Sequence, residues 1–421
     1  MPSGTSAGRR HRDDARDYLR KAEPADMTDS VVLDVLLGLL LIGYLVYGFR
    51  HGLLHSVGSI LGVAAGAIGA VLLIPLLGSW IPEPGWRIAA TLAVLLVLLV
   101  GGQVLGASVA AMIRRRMKNS GLRAIDRVLG AVVSVLATAL VLSMVSVSIA
   151  ALGVPLLSTS IGSSVVLQRI DALTPAPVKT QLAQLRATVT NDGLPRIVEA
   201  LGGPVAAPDL PTAAPASAAL DRAAQSVVRI TGNAYACGQS QSGSGFVVAE
   251  DRVVTNAHVV AGVSEPVVEV PGKGAQAATI VYFDPTDDLA VLAVDGLTAA
   301  PLRLTTTLAV GSAGVTDGYP FGGPFVSLPA QVISVATTDV NNIYNTDQSP
   351  RSIYTLAADV QQGDSGGPLL SEAGEVAGVV FAKSATTSNV GYAVTMEELL
   401  PVAQSAEGLV ATVSSGDCID G

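Results

Sequence analysis

The stretch Gln361-Gln362-Gly363-Asp364-Ser365-Gly366-Gly367-Pro368 decides how the C-terminal half of this 421-residue chain is read. A serine hydroxyl is a weak nucleophile near neutral pH. It needs a base, a group that orients the base, and donors for an oxyanion. The glycines around Ser365 permit a tight turn with backbone angles closed to other residues. In such a turn the N–H groups of Gly363 and Ser365 can converge on one developing negative charge. A lone G-x-S-x-G pattern reads more readily as a Gly/Ser-rich surface turn, but the longer run G-D-S-G-G-P with its flanks is far more specific.

The base is sought among four histidines, His11, His51, His55 and His258. Only His258 lies outside the polar N-terminus and the apolar part of the chain over 31–152, so a histidine base for Ser365 within its own domain is His258. It sits in Thr255-Asn256-Ala257-His258-Val259-Val260, directly after the strand-like RVVT. The orienting carboxylate is sought in Asp284-Pro285-Thr286-Asp287-Asp288, ahead of the apolar run LAVL. Asp288 enters the core with that strand and is the preferred partner. Asp287, on the opposite face by strand alternation, is the alternative.

Around these residues, from Leu220 onward, short β-branched runs alternate with turn residues. Val227–Thr231, Val267–Val270, Leu289–Val294 and Val376–Phe381 are examples. About a dozen such strands with no long helices between them predict an all-β barrel or sandwich over 220–421 and exclude a parallel α/β sheet.

The N-terminal half is different. Half of the whole chain is apolar and only 14% is charged, too apolar for an ordinary soluble protein. Four apolar runs, near Val31–Phe49, Leu53–Leu77, Arg87–Ile113 and Ile125–Leu152, each approach or exceed the ~20 residues a helix needs to cross a bilayer. They predict an all-α, four-helix transmembrane domain over 31–152. Gly58, Gly62 and Gly66 in the second run, and Gly102, Gly106 and Ala110 in the third, form small-residue faces suited to close helix packing.

Basic residues Arg114, Arg115, Arg116, Lys118, Arg123 and Arg127 crowd the loop between the third and fourth runs. The loop GSWIPEPGW has none. The positive-inside rule puts the first loop in the cytoplasm and the second outside, which leaves both chain ends outside. The basic residues of the polar segment 1–30, read as a disordered tail, disagree with this. A start at Met27 would remove the conflict. Residues 153–219 read as a linker. Val165–Leu173 and Val178–Val189 are amphipathic and suited equally to the membrane surface or to packing on the next domain. Gly202–Ala219 is Ala/Pro-rich and extended. The net charge of −9 gives no sign of nucleic-acid binding.

The motifs TNAHVV, DDLAVL and GDSGGP, in the order His258, Asp288, Ser365, resemble the trypsin/chymotrypsin-like serine proteases, most closely the HtrA-type bacterial branch. The resemblance covers about Leu220 to Val402. It implies a double β-barrel of two six-stranded antiparallel barrels with the site in their cleft. It also implies a catalytic triad His258, Asp288, Ser365 and an oxyanion hole from the Gly363 and Ser365 amides. The four spans resemble the colicin V production (CvpA) family. The whole layout is similar to the actinobacterial membrane serine proteases of the MarP type, which are periplasmic acid-resistance proteases. No PDZ domain follows the barrel and no IVGG-like activation site precedes it, so HtrA-style peptide sensing and trypsinogen-like processing are not implied.

The two cysteines, Cys237 and Cys418, allow one disulfide and no zinc site of familiar spacing. An exported domain suits the disulfide, which would staple the C-terminal tail to the first barrel, by about 5 kcal/mol at most in the chain-entropy picture. It would also suit redox control of activity. Asp359, six residues before Ser365, falls where the trypsin-like pattern floors the specificity pocket. There it would favour Arg or Lys, the alternative being a carboxylate that caps the turn or bonds the backbone.

The reading is a membrane-anchored serine endopeptidase that cleaves cell-envelope proteins without metal or organic cofactor. Its partners are protein substrates and the lipid bilayer, and by resemblance it serves acid and oxidative stress resistance. A catalytically silent membrane scaffold or sensor is the alternative.

Overall fold

The structure is a computed structural model. It describes residues 25–80, 84–115, 120–150, 155–187, 196–197, 207–212, 215, 217–234 and 239–419. The chain divides into two compact units, Asp34–Ser143 and the rest of the described residues.

The first unit is helical: α1 (Ala25–His51), α2 (Leu53–Trp80), α3 (Pro84–Arg115) and α4 (Ser120–Ala150). All four are long and apolar enough to cross a membrane. α1 begins six residues before the apolar run, because the polar turns ahead of Val31 continue the helix. The two glycine faces meet each other, joining α2 to α3. A Cβ on Gly62 would come 2.1 Å from the Gly102 carbonyl oxygen, and one on Gly106 would come 2.0 Å from that of Gly58. Only glycine allows backbones this near.

A polar node lies where α1 turns into α2. Gly52 there has φ +83°, and buried Asp126 of α4 accepts the Leu54 N–H at 3.0 Å and Arg114 Nε at 2.9 Å. The pairing satisfies a buried carboxylate that would otherwise be costly. It also uses one of the basic residues on which the orientation rests.

The second unit holds two sheets. The first has the order β6-β5-β2-β3-β4-β8-β7 and the second β1-β13-β12-β9-β10-β11-β14, closed by a further β13–β14 pairing. The first barrel runs from β2 (Val227–Ala234) through β3 (Gln239–Ala249), β4 (Arg252–Thr255), β5 (Val267–Val270), β6 (Gly274–Ala277) and β7 (Thr279–Asp284) to β8 (Leu289–Ala293). The second comprises β9 (Ala313–Gly318), β10 (Val326–Asn341), β11 (Gln348–Ala357), β12 (Pro368–Ser371), β13 (Val376–Ser384) and β14 (Val390–Val394). β1 (Arg196–Ile197) is a linker segment that adds in parallel to β13 at Lys383 and Ser384. The second barrel therefore has the expected six strands plus this addition. The first has seven, because β6 pairs as a short hairpin with β5.

Alternation along β2, β4 and β8 fills the first core with Val228, Ile230, Val253 and Leu292, all fully buried. Tyr354, Leu356, Leu369 and Val380 fill the second. A third cluster joins the barrels through Phe246, Val254, Leu370 and Val379.

The linker's short helices α5 (Pro155–Ser163), α6 (Val165–Leu173) and α7 (Ala176–Ala187) belong to this unit. Gly162 abuts the Ala275 backbone, and buried Ala183 lies against Gly323. The far end of the chain also returns to the first barrel. Val413 N–H donates to the Ile280 carbonyl at 2.9 Å, and Gly262 N–H to the Ser415 carbonyl at 3.1 Å.

Candidate active site

His258 lies in the single-turn helix α8 (Ala257–Val260), at the end of β4. Asp288 precedes β8, which pairs with β4 through Thr255 and Ala290. The strand pairing thus brings the two residues together across 30 positions of sequence. Asp288 has φ +57°, a left-handed conformation that aspartate tolerates better than most residues. Its backbone is held there by Asn256 Nδ2, which donates to the Asp288 carbonyl at 2.8 Å.

The Asp288 carboxylate grips His258 twice. Oδ1 accepts the His258 backbone N–H at 2.9 Å, and Oδ2 bonds ring Nδ1 at 2.7 Å. With Nδ1 donating to a carboxylate, Nε2 is the nitrogen that lacks a proton in the neutral imidazole. Both side chains are buried. Asp287 does not reach the histidine. Its N–H donates to Asp284 Oδ1, and burial, then the Asp284 charge, raises its carboxyl above the usual range.

Ser365 is buried on the loop between β11 and β12. Gly366 beside it, at φ +84°, packs so closely on Ser244, Thr255 and Asn256 that a Cβ there would come 2.3 Å from Thr255 Oγ1. This contact sets the serine next to the turn that carries His258. Ser365 Oγ itself makes no hydrogen bond, and the serine–histidine bond is not formed. Such bonds are often loose until substrate is bound.

The loop's carbonyls are all engaged. Phe321 N–H donates to the Gln362 carbonyl, Ser244 Oγ to Gly363, Gly367 N–H to Asp364 and Ser244 N–H to Ser365. A trans peptide points its C=O and N–H in opposite directions. The Gly363 N–H therefore turns away from Phe321. Among the described residues neither this group nor the Ser365 N–H donates a hydrogen bond. Gly363 has φ +95°, and a Cβ there would come 2.4 Å from the Tyr319 carbonyl oxygen. Glycine is required at this position.

Asp364 lies between those two residues and accepts the Gln361 N–H at 2.8 Å. Burial first, with the Asp359 charge adding, pushes its carboxyl up to about 7, against the opposing Gln361 hydrogen bond and Lys383. Asp317 is pushed up to about 6 by burial.

Asp359 is exposed and lines a cavity of about 350 Å³ with Gln361, Lys383 and the loop 384–390. Among the described residues its carboxylate makes no hydrogen bond to the backbone. Its carboxylate accepts the Gln361 side-chain amide. Lys383 lines the same cavity. Cys418 is disulfide-bonded, and Cys237 lies outside the described residues.

The sequence pattern did not single out Ser244. The available signal was the S-G-S-G run Ser242–Gly245, whose glycines permit backbone contact with Ser365 and Val254.

Two antiparallel barrels with this serine, histidine and aspartate at their seam define a trypsin-like serine peptidase, and the comparisons agree. Residues 243–379 match the trypsin-like peptidase domain, and residues 33–175 match the colicin V production protein family. The serine protease Rv3671c of Mycobacterium tuberculosis is 36% identical over 407 residues, spanning 93% of this chain and 100% of that protein. The chain belongs to the same serine protease family as Rv3671c. A crystal structure of the Rv3671c protease in its active form has 36% identity and a TM-score of 0.47, covering 51% of this chain and 96% of that one. A probable periplasmic DegP-like serine endoprotease of Ectopseudomonas mendocina is 33% identical over 176 residues, 40% of this chain and 36% of that protein.

Proposed function

We propose that the chain is a membrane-anchored endopeptidase with Ser365 as nucleophile, His258 as general base and acid, and Asp288 as its orienting partner. Ser365 Oγ attacks the scissile carbonyl while His258 Nε2 takes its proton. The same nitrogen returns a proton to the departing amine. Asp288 keeps Nδ1 protonated and stabilises the imidazolium. The Gly363 and Ser365 N–H groups receive the negative charge that develops on the carbonyl oxygen. The observation that carries this reading is the double grip of Asp288 on His258, beside a serine loop whose Gly363 and Ser365 N–H groups donate no hydrogen bond among the described residues.

The protease domain faces outside the cell in this reading. The basic loop between the third and fourth spans supports that side, as does the periplasmic description of the DegP-like relatives. Its substrates are then proteins of the cell envelope, cleaved under acid or oxidative stress. Asp359 and Lys383 border the pocket that receives the substrate side chain.

Cys237 pairs with Cys418, fixing the tail whose Ser415 carbonyl holds Gly262, four residues after His258. The bridge thereby supports the histidine's turn, and reduction lowers activity.

The test is hydrolysis of an unfolded protein such as casein by the full chain in detergent. Ser365→Ala and His258→Ala are each expected to lower kcat by roughly 10⁵-fold or more. Cleavage that persists in folded Ser365→Ala would reject the assignment, and a wild type without turnover would favour the silent scaffold.

A further inference from the structure

Ser244 is the point at which the first barrel holds the serine loop of the second. Its N–H donates to the Ser365 carbonyl at 2.8 Å, and its hydroxyl to the Gly363 carbonyl at 2.7 Å. The same oxygen accepts the Tyr319 N–H at 2.9 Å, so donor and acceptor capacities are both used. The Ser244 carbonyl accepts Thr255 Oγ1 at 2.7 Å, three residues before His258. The residue is fully buried. One side chain and its backbone therefore touch the loop on alternate carbonyls, the β9 exit at Tyr319 and the strand that delivers the histidine.

We infer that Ser244 is a positioning residue for the reaction, setting the direction in which the Gly363 and Ser365 N–H groups face. The inference rests on the reading of Ser365 as nucleophile. Gly363 is the loosest joint of the loop, since a glycine at φ +95° has no side chain to limit rotation. Its N–H belongs to the peptide plane before it, pinned by Phe321. Its carbonyl belongs to the plane after it, pinned by the Ser244 hydroxyl. With both planes pinned, the N–H has one direction. Without the hydroxyl, the second plane is free to rotate toward another donor, and the Gly363 carbonyl would otherwise stay buried and unpaired. The freed plane lies between the plane that carries the Gly363 N–H and the one that carries the Ser365 N–H, so its rotation turns both oxyanion donors while leaving His258 and Asp288 in place. Ser244 touches no reacting atom, and its effect falls on the transition state rather than on substrate binding.

The full chain in detergent is assayed as wild type and Ser244→Ala, with a fluorogenic peptide chosen by the wild type from a library. The variant is expected to lose about ten- to a hundredfold in kcat, with KM changed less than about twofold. Affinity for a peptide boronate, which forms a tetrahedral anion on the serine, should fall by the same factor. Binding of the uncleaved peptide in a Ser365→Ala background should be unaffected by adding Ser244→Ala. A folded Ser244→Ala with wild-type kcat overturns the inference, as does a loss shared equally by boronate and uncleaved peptide. If Ser244→Ala does not fold, Ser244→Thr keeps the hydroxyl and should hold boronate affinity within about threefold; a larger loss in the folded variant overturns the inference. An inactive wild type instead rejects the nucleophile assignment itself.

Discussion

Asp364 gives the chain an unusual dependence on acidity. The carboxyl lies in the serine loop, 4% exposed, with no ion pair among the described residues and one backbone N–H as donor. Burial outweighs that donor and Lys383 and lifts the group from 3.8 to about 7. A folded value above the unfolded one means that the native state holds the proton more tightly. The resulting stability is fully present below pH 3.8 and is lost as pH rises through about 7. The gap corresponds to roughly 4 kcal/mol at 1.36 kcal/mol per pH unit. Asp364→Asn keeps the shape, retains an acceptor for Gln361 and cannot ionise. The stability difference between wild type and variant is therefore expected to shift by roughly 4 kcal/mol in the variant's favour between pH 4 and pH 8. In urea this is about 1–2 M in the relative midpoints, at slopes of about 2–3 kcal/mol/M. The assay is pulse proteolysis of the protease unit within the intact chain in detergent, at half-unit pH steps. A difference constant to within about 1 kcal/mol over this range would refute the reasoning.

Three further outcomes are expected. Asp288→Asn should lower kcat by about 10⁴-fold, because it disturbs the histidine tautomer, whereas Asp287→Asn should leave kcat within about threefold; steady-state kinetics on the two variants decides. Gly62→Ile should separate α2 from α3, where even a Cβ comes 2.1 Å from the Gly102 oxygen, and cysteine crosslinking between the two helices should then drop. Cys418→Ser should destabilise the protease unit by up to about 5 kcal/mol and lower activity, measured by urea midpoint and turnover; unchanged values would remove the staple and its control role.

Much of this was legible in the residues themselves because the decisive signals are local. The spacing of apolar residues marks Val267–Val270 and Val165–Leu173 with the observed bounds, since Pro266 and Pro271 stop the first and Ser164 and Thr174 cap the second. The rarity of histidine isolated His258, and the step from Asp288 into LAVL identified the carboxylate that bonds it. The glycine faces of α2 and α3 were visible, but the sequence does not state that each is the other's partner. What stayed hidden depends on contacts distant in sequence. Ser244 meets the Gly363 carbonyl across 119 positions, and nothing local in S-G-S-G announces a hydrogen bond to that loop. Likewise, the placement of Lys383 on the same cavity as Asp359 requires β13 to fold back along it. The addition of Arg196–Ile197 to the β13 edge cannot be read from two residues with no pattern of their own.

Fluorophosphonate labelling of the intact, disulfide-bonded chain tests the central claim most directly, because the reagent reacts only with a serine whose hydroxyl is activated and whose oxyanion is received. The account predicts a single adduct, mapped by mass spectrometry to Ser365, that is absent in Ser365→Ala and strongly slowed in His258→Ala. An adduct on another residue, or labelling that survives in folded Ser365→Ala, would contradict it.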